Sequence, residues 1–233
     1  MHAISVSPFA LDLLNGPVQS GASLGHGHLL FGDQVLSLTA PGQPRMPNGI
    51  ECQLPMLDSG APVRVGQSRL ESDFGTVLSG PMWDPRPRPL FIVRTSPRLT
   101  RKELLEQSGL GPGLTPLADD VLVGYLASAG FSGCQFGSLL RLASSAGKRT
   151  TALSATLLRL ACCGYLPEPA HRVLEGGTVE PLLSWGASSG MGLLVGLGHI
   201  RSGKRGIMIR QLDLRLCVDE PRDFSVEVYK ADG

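Results

Sequence analysis

The residues best suited to chemistry form a glycine-rich segment that runs into a pair of acids. Residues 109–120 read GLGPGLTPLADD. A glycine-rich turn ahead of a helix leaves free backbone N–H groups at the positive end of the helix dipole, where phosphate or carboxylate binds. No Gly-Lys-Ser/Thr closes the segment, so it is not a Walker phosphate loop. The sequence therefore predicts a small-anion site, and its first candidate residues are Gly111, Gly113, Leu114 and Thr115.

The two acids, Asp119 and Asp120, fall in the first or second turn of the predicted helix. In one interpretation they are catalytic residues that bind the amino or amide N–H groups of a substrate, or a metal. In the other they only stabilise the helix, because acids near a helix N-terminus contribute about 0.3–1 kcal/mol each. The sequence alone leaves these alternatives evenly balanced.

A second segment, residues 185–192, has the same design and reads WGASSGMG. Ser188 and Ser189 can cap a helix or hydrogen-bond an anion, and Gly190 permits close backbone approach. The alternative is a tight helix crossing, which is favoured when the segment is taken alone. That crossing would use Gly190, Gly192, Gly196 and Gly198.

A third segment, Gly147-Lys148-Arg149-Thr150-Thr151, precedes another predicted helix. Arg149 offers a bidentate fork to a carboxylate or phosphate, and the two threonine hydroxyls can complete an anion pocket. A capped helix with a solvated basic turn is the simpler explanation, and it is the favoured one for Lys148.

The histidines and cysteines are not spaced as metal ligands, and the sequence predicts no cofactor. His26 and His28 are expected on one face of a strand, but no third ligand follows at a useful spacing, so a surface pair is the preferred interpretation. Five cysteines include the neighbours Cys162 and Cys163, which are poorly placed for a structural disulfide. We therefore expect reduced thiols and a cytoplasmic location.

Composition excludes several classes of partner. Hydrophobic residues make up 42% of the 233 residues and charged residues 18%, which is typical of a globular protein. The net charge is +1 without a basic run, which argues against nucleic acid and acidic membrane surfaces. The apolar run Met191–Ile200 is about half a membrane span, and Met1–Gly16 lacks the basic region of a signal peptide.

The spacing of apolar residues predicts an α+β fold with a β-rich part at residues 1–98. Turn-forming residues separate short strands, and this pattern favours a small barrel or sandwich. The strands are predicted at His28–Phe31, Gln34–Leu38, Ile50–Leu54, Val63–Val65, Thr76–Leu78 and Leu90–Val93. Residues 83–89, WDPRPRP, must be extended and can serve as a linker or an edge segment.

Residues 99–203 are predicted to form a mainly helical part on which the β-rich part packs, and residues 204–233 to form strands that can return to the N-terminal sheet. The tail strands are expected at Gly206–Leu216 and Phe224–Tyr229. The predicted helices are Thr100–Leu110, Thr115 to about Ala129, Phe136–Ala146, Thr150 or Thr151 to Cys163, Glu168–Leu174, Val179–Trp185, and one that starts near Ser188 to Gly190 and ends near His199 or Ile200.

Together the three segments resemble the AllH-type subunit family of oxamate carbamoyltransferase, which acts in anaerobic allantoin breakdown. The resemblance rests on GPGLTPLADD at 111–120 with Gly124, on Arg149-Thr150-Thr151 with Ser154, on GASSG at 186–190, and on Pro47-Asn48-Gly49-Ile50. It implies a cytoplasmic purine-catabolic transferase subunit that works with partner subunits on oxamate and carbamoyl phosphate. Helix-terminus N–H groups suit the oxygens of these small anions, and aspartates suit their N–H donors.

This chain departs from the family pattern at two places. Leu117-Ala118 stand where the family motif resembles Ser-Gly. In the later motif, Ala187 replaces a histidine and Gly192 an aspartate. These departures leave two hypotheses: a carbamoyltransferase-type subunit that binds small anions, or a non-catalytic assembly or ligand-sensing subunit.

Overall fold

The computed structural model describes residues 1–53, 57–88, 92–94, 101–111, 113–131, 134–201, 206–209 and 228–230. Of these, residues 92–94, 101, 199–201, 206–209 and 228–230 are described by their backbone alone. The chain forms two compact units, residues 1–85 and 86–233. The division falls inside the proline-rich segment 83–89.

Unit 1, residues 1–85, contains a curled eight-stranded sheet and one helix. Its elements are β1 (Ser5–Val6), α1 (Pro8–Asn15), β2 (Gln19–Gly25), β3 (His28–Phe31), β4 (Gln34–Thr39), β5 (Gly49–Glu51), β6 (Pro62–Gly66), β7 (Arg69–Ser72) and β8 (Gly75–Leu78). The strand order is β1-β5-β4-β3-β2-β6-β7-β8. Neighbouring strands are antiparallel except β4 and β5, which are parallel. The predicted β-rich part and its barrel-like curl are confirmed.

The N-terminal segment joins the two edges of this sheet. Ser5 and Val6 pair with β5. Ala3 donates its N–H to the Leu78 carbonyl (2.9 Å), and Leu78 donates to the Met1 carbonyl (2.8 Å). Both edge strands therefore find backbone partners, which removes the exposed edges that promote aggregation.

Helix α1 covers part of the apolar core of unit 1. Ser7 caps it by accepting a hydrogen bond from the Ala10 N–H (3.2 Å), and Pro8 occupies the first turn, where proline is favoured. Leu13 and Leu14 face inward. They join a buried cluster that includes Leu29, Phe31, Leu36, Ile50, Val63, Val65, Leu70 and Val77.

Unit 2, residues 86–233, is mainly helical. Its elements are β9 (Ile92–Arg94), α2 (Arg101–Gln107), α3 (Leu117–Phe131), α4 (Phe136–Gly147), α5 (Ala152–Ala161), α6 (Glu168–Leu174), α7 (Glu180–Leu183), α8 (Ser189–Leu197), β10 (His199–Arg201), β11 (Gly206–Ile209) and β12 (Val228–Lys230). The strands form a separate antiparallel sheet in the order β12-β11-β10-β9. The C-terminal strands thus pair with β9, which lies within the residues predicted to be β-rich. The α+β class is confirmed.

Helix α3 is the centre of unit 2. It contacts α2, α4, α5 and β9, and its most extensive contact is with α8. Among its 15 residues 11 are buried, and they include both acids of the first turn. A helix buried on most sides shows little amphipathic pattern. Its position in the fold therefore cannot be found from periodicity.

Three glycines allow the backbones of α3 and α8 to approach closely. A Cβ on Gly196 would overlap the Val121 carbonyl oxygen, and one on Gly124 would overlap the Leu193 carbonyl oxygen. A Cβ on Gly192 would lie 2.7 Å from the Cβ of Asp120. The helix crossing considered for this segment is therefore present at Gly192 and Gly196, whereas Gly190 lies against the Leu182 carbonyl of the α7 segment and Gly198 ends α8 with a φ of 71°.

Several predicted boundaries differ from the observed ones. Helix α8 ends at Leu197, so His199 begins β10 instead of ending the helix. The helix predicted at Val179–Trp185 shortens to Glu180–Leu183. Strands β1, β2, β7 and β10 and helix α1 were not predicted. The Thr100 cap, Leu54 and most of the predicted tail strands lie outside the described residues.

We expect Gly196→Ala to destabilise the protein by about 1–3 kcal/mol, because the added methyl group overpacks the α3–α8 contact. Gly137→Ala is the matched control. An added Cβ there meets only the end of the Arg141 side chain at 3.9 Å, so the change should be neutral or stabilising. Urea unfolding of both variants provides the test. Equal stabilities would contradict the close crossing.

Candidate functional site

The glycine-rich loop ahead of α3 packs against the turn that precedes α5. Gly109 has a φ of 78°, a left-handed conformation that favours glycine. A Cβ at this position would also overlap the Arg149 carbonyl oxygen. The first and third predicted segments are therefore in direct backbone contact.

Asp119 connects these two segments through its carboxylate. Its side chain is buried, with the residue only 1% exposed. Oδ1 accepts the Gly109 N–H (2.9 Å), and Oδ2 accepts the Thr150 hydroxyl. Both oxygens thus have partners within the protein, as a buried carboxylate requires. This arrangement makes Asp119 a positioning residue for both loops.

Thr151 makes a second connection between the same segments. It caps α5 by accepting the Ser154 N–H (3.1 Å), as the sequence predicted. Its hydroxyl donates to the Leu114 carbonyl (2.5 Å). The loop around Leu114 is therefore held against the start of α5.

Asp120 faces a different group of residues. The hydroxyl oxygens of Thr115 and Ser189 lie 3.0 Å apart. Both hydroxyls lie beside the Asp120 carboxyl. The loop ahead of α3 and the first residue of α8 therefore meet at a buried acid.

One oxygen of Asp120 is left without a partner. Asp120 is 2% exposed, and Oδ2 has no hydrogen-bond partner among the described residues. Leaving a buried polar atom unpaired costs about 1–3 kcal/mol. Unpaired buried groups of this kind are often explained by a functional role.

Burial raises the pKa of Asp120 to about 8. The Ser189 hydroxyl lowers this pKa, the negative charge of Asp119 raises it, and the Thr115 hydroxyl lowers it. Burial prevails because a charged carboxylate loses its hydration in the interior. Asp120 is therefore largely protonated at neutral pH and can donate a hydrogen bond.

The other candidate residues surround this centre less closely. The amides of Asp119 and Asp120 donate to the Pro116 carbonyl, and the Gly190 amide donates to the Trp185 carbonyl. At the start of α3 the amides of Leu117 and Ala118 have no intrahelical partner. Helix α8 begins without a side-chain cap from Ser188.

Two candidate glycines and the basic side chains lie at the surface. Gly111, Gly113, Lys148 and Arg149 are exposed. Neither cation forms an ion pair within the part of the chain that the structure describes. Gly109 was not among the predicted site residues, although it opens the glycine run. Only its tertiary contact with Asp119 reveals its role.

The histidine prediction is wrong in geometry. His26 lies in the turn between β2 and β3 with a φ of 52°, so it does not share a strand face with His28. His28 is half-buried and contacts the Ser37 hydroxyl (3.0 Å). Burial lowers the pKa of His28, with a smaller contribution from His26. No group of three His, Cys, Asp or Glu side chains within the described ranges is arranged as a metal site.

Comparison with known proteins links this geometry to a family. Residues 108–200 match the model of the family described as oxamate carbamoyltransferase subunit AllH. Over these residues, called the AllH region below, the chain is similar to that family. The AllH region spans the glycine-rich loop and α3 to α8, so it contains every candidate site residue. No curated protein and no solved structure matches the chain.

Leu117 and Gly192, two of the positions at which the sequence analysis expected a departure from the motif, lie together in the structure. A Cβ added at Gly192 would lie 2.7 Å from the Asp120 Cβ and 3.0 Å from the Leu117 Cδ1. An aspartate at position 192 therefore has no room beside Leu117 and Asp120. Among the residues that the structure describes, no helix has the length and the apolar composition needed to cross a membrane.

Asp119→Ala should lower the free energy of unfolding by about 1.5–3 kcal/mol, because it removes hydrogen bonds to a charged group and leaves the half-buried Gly109 N–H and Thr150 hydroxyl unpaired. Asp119→Asn should cost less, since an amide can accept from Gly109 and donate to Thr150. Urea unfolding measures both. The control is Glu106→Ala at an exposed position of α2, and a loss no greater than that of the control would contradict this role of Asp119.

Proposed function

We propose that this chain is a subunit of a carbamoyltransferase-type enzyme and binds a small anionic substrate at the starts of α3 and α8. The observation that carries the proposal is the contact of Thr115 with Ser189 beside the buried Asp120. Oxamate and carbamoyl phosphate are the substrate class that the family name and the donors of the site favour. Amides at a helix start suit their carboxylate and phosphate oxygens.

The residues of the site have different roles in this proposal. Asp120, Thr115 and Ser189 contact the guest. Asp119 positions the loop around Gly111 and Gly113 through its bonds to Gly109 and Thr150. The remaining predicted ligands line the entrance: Leu114, Arg149, Thr151, Ser188 and Gly190.

Arg149 would act as the cation that attracts the anion. Its guanidinium is exposed, which leaves its fork available for a carboxylate or phosphate. The family name describes a subunit, which supports partner proteins in the working enzyme. We place this assembly in the cytoplasm and in allantoin degradation, as the resemblance implies.

A second candidate function is a non-catalytic assembly or ligand-sensing subunit. The observation that favours it is the packing at Gly192, where Leu117 and Asp120 leave no room for a further acid. Ala187, where the family motif has a histidine, supports the same idea. In this version the site binds an anion but performs no chemistry.

Calorimetry of the full chain with carbamoyl phosphate, oxamate and phosphate tests the binding proposal. We expect heat with at least one of these anions. Thr115→Val and Ser189→Ala should each weaken binding about tenfold, because each removes a half-buried hydroxyl beside Asp120. Ser145→Ala is the control, since this exposed hydroxyl bonds within α4 to the Arg141 carbonyl.

Two outcomes separate the functions. If none of the three anions gives heat of binding, either with the chain alone or with copurifying partner proteins, the binding site is contradicted. Binding that survives while Asp120→Asn leaves the transferase activity of the assembled enzyme unchanged favours the non-catalytic subunit.

A further inference from the structure

The group around Asp120 consists of two hydroxyls and one buried carboxyl. The hydroxyl oxygens of Thr115 and Ser189 lie 3.0 Å apart, and Asp120 beside them is only 2% exposed. A hydroxyl has one proton to donate and an ionised carboxylate has none. A donor at the unpaired oxygen of Asp120 must therefore come from a proton on that oxygen.

The charges around this group also favour a neutral acid. Asp119 is the neighbouring negative charge on the same helix. On the α8 side Asp120 lies beside the Ser189 hydroxyl and the backbone at Gly192, and on the side of the loop ahead of α3 it lies beside the Thr115 hydroxyl. No cation forms an ion pair with either carboxyl within the described part of the chain. A guest anion beside an ionised Asp120 would therefore be repelled.

The unpaired oxygen of Asp120 shows where a guest would gain a contact. Oδ2 is buried and lacks a partner among the described residues, while Asp120 belongs to the first turn of a 15-residue helix. The start of that helix also offers amide donors. A protonated carboxyl adds an O–H donor to these amides, and all of these donors suit an oxygen acceptor.

We infer that this site binds a small oxyanion, a carboxylate or a phosphate, only when Asp120 is protonated and donates its O–H to the guest. The inference rests on the proposed function and refines it. Asp120 then recognises an acceptor oxygen of the guest and not an N–H group. The proton comes from solvent and returns to it when the site is ionised.

Calorimetry with oxamate and with oxalate separates the two modes of recognition, because oxalate has no N–H group. The full chain is titrated from about pH 7 to about pH 9, where neither ligand changes its charge. We expect similar affinity for both ligands at about pH 7. Affinity should then fall about tenfold for each pH unit above about 8, because the pKa of Asp120 is raised to about 8.

The number of protons bound gives a readout that needs no variant. Repeating the titration at about pH 9 in two buffers with different ionisation enthalpies should show uptake of about one proton per bound anion. Asp120→Asn keeps an N–H donor without a titrating group, so its affinity should lose the pH dependence. Glu106→Gln, at an exposed position of α2, should keep the wild-type pH profile.

Affinity that is flat or rises from about pH 7 to about pH 9 overturns the inference and leaves the proposed function standing. Oxalate binding about tenfold or more weaker than oxamate at neutral pH does the same, because it shows that Asp120 accepts an N–H. Absence of binding by any small anion overturns the proposed function, and this inference falls with it.

Discussion

The close contact between α3 and α8 is the constraint on which the rest of unit 2 depends. Gly124, Gly192 and Gly196 let the two backbones approach without side chains between them. Together with the contacts of α2, α4 and α5, this contact buries α3 on most sides and places its first turn in the interior. Two adjacent acids occupy that turn. Because they are buried, their carboxyl groups need hydrogen-bond partners within the protein or must be protonated, whereas acids at an exposed helix start are hydrated by water.

The two acids differ in the partners that the fold provides for them. Neighbouring residues on a helix point about 100° apart, so Asp119 and Asp120 face different segments. Asp119 finds an amide and a hydroxyl, and its charge is stabilised by tertiary hydrogen bonds. Asp120 lies beside the Thr115 and Ser189 hydroxyls, and its Oδ2 has no hydrogen-bond partner among the described residues. Asp119 therefore holds the loops ahead of α3 and α5 together, and Asp120 keeps an oxygen that a guest can contact.

Much of the fold could be predicted from the sequence, because turn residues and helix caps act locally. Thr151 caps α5 as expected, and the glycine-rich loop does precede a helix. The neighbours of each acid could not be predicted, since Gly109, Thr150 and Ser189 lie 10, 31 and 69 residues from the acids they contact. The burial of α3 was also hidden, because a helix that is apolar nearly all round has no face to identify. Helix α1 was missed although Ser7-Pro8 carries an ordinary start signal.

The protonation of Asp120 in the free protein tests the central claim most directly. Carbon-13 NMR of the full chain labelled at the aspartate carboxyl carbon, with Asp120→Asn used to assign the resonance, follows this group alone. A carboxyl enclosed between α3 and α8 should titrate at about pH 8. Titration at about 3.9, the ordinary value for aspartate, would show that Asp120 is solvated and would contradict the buried site.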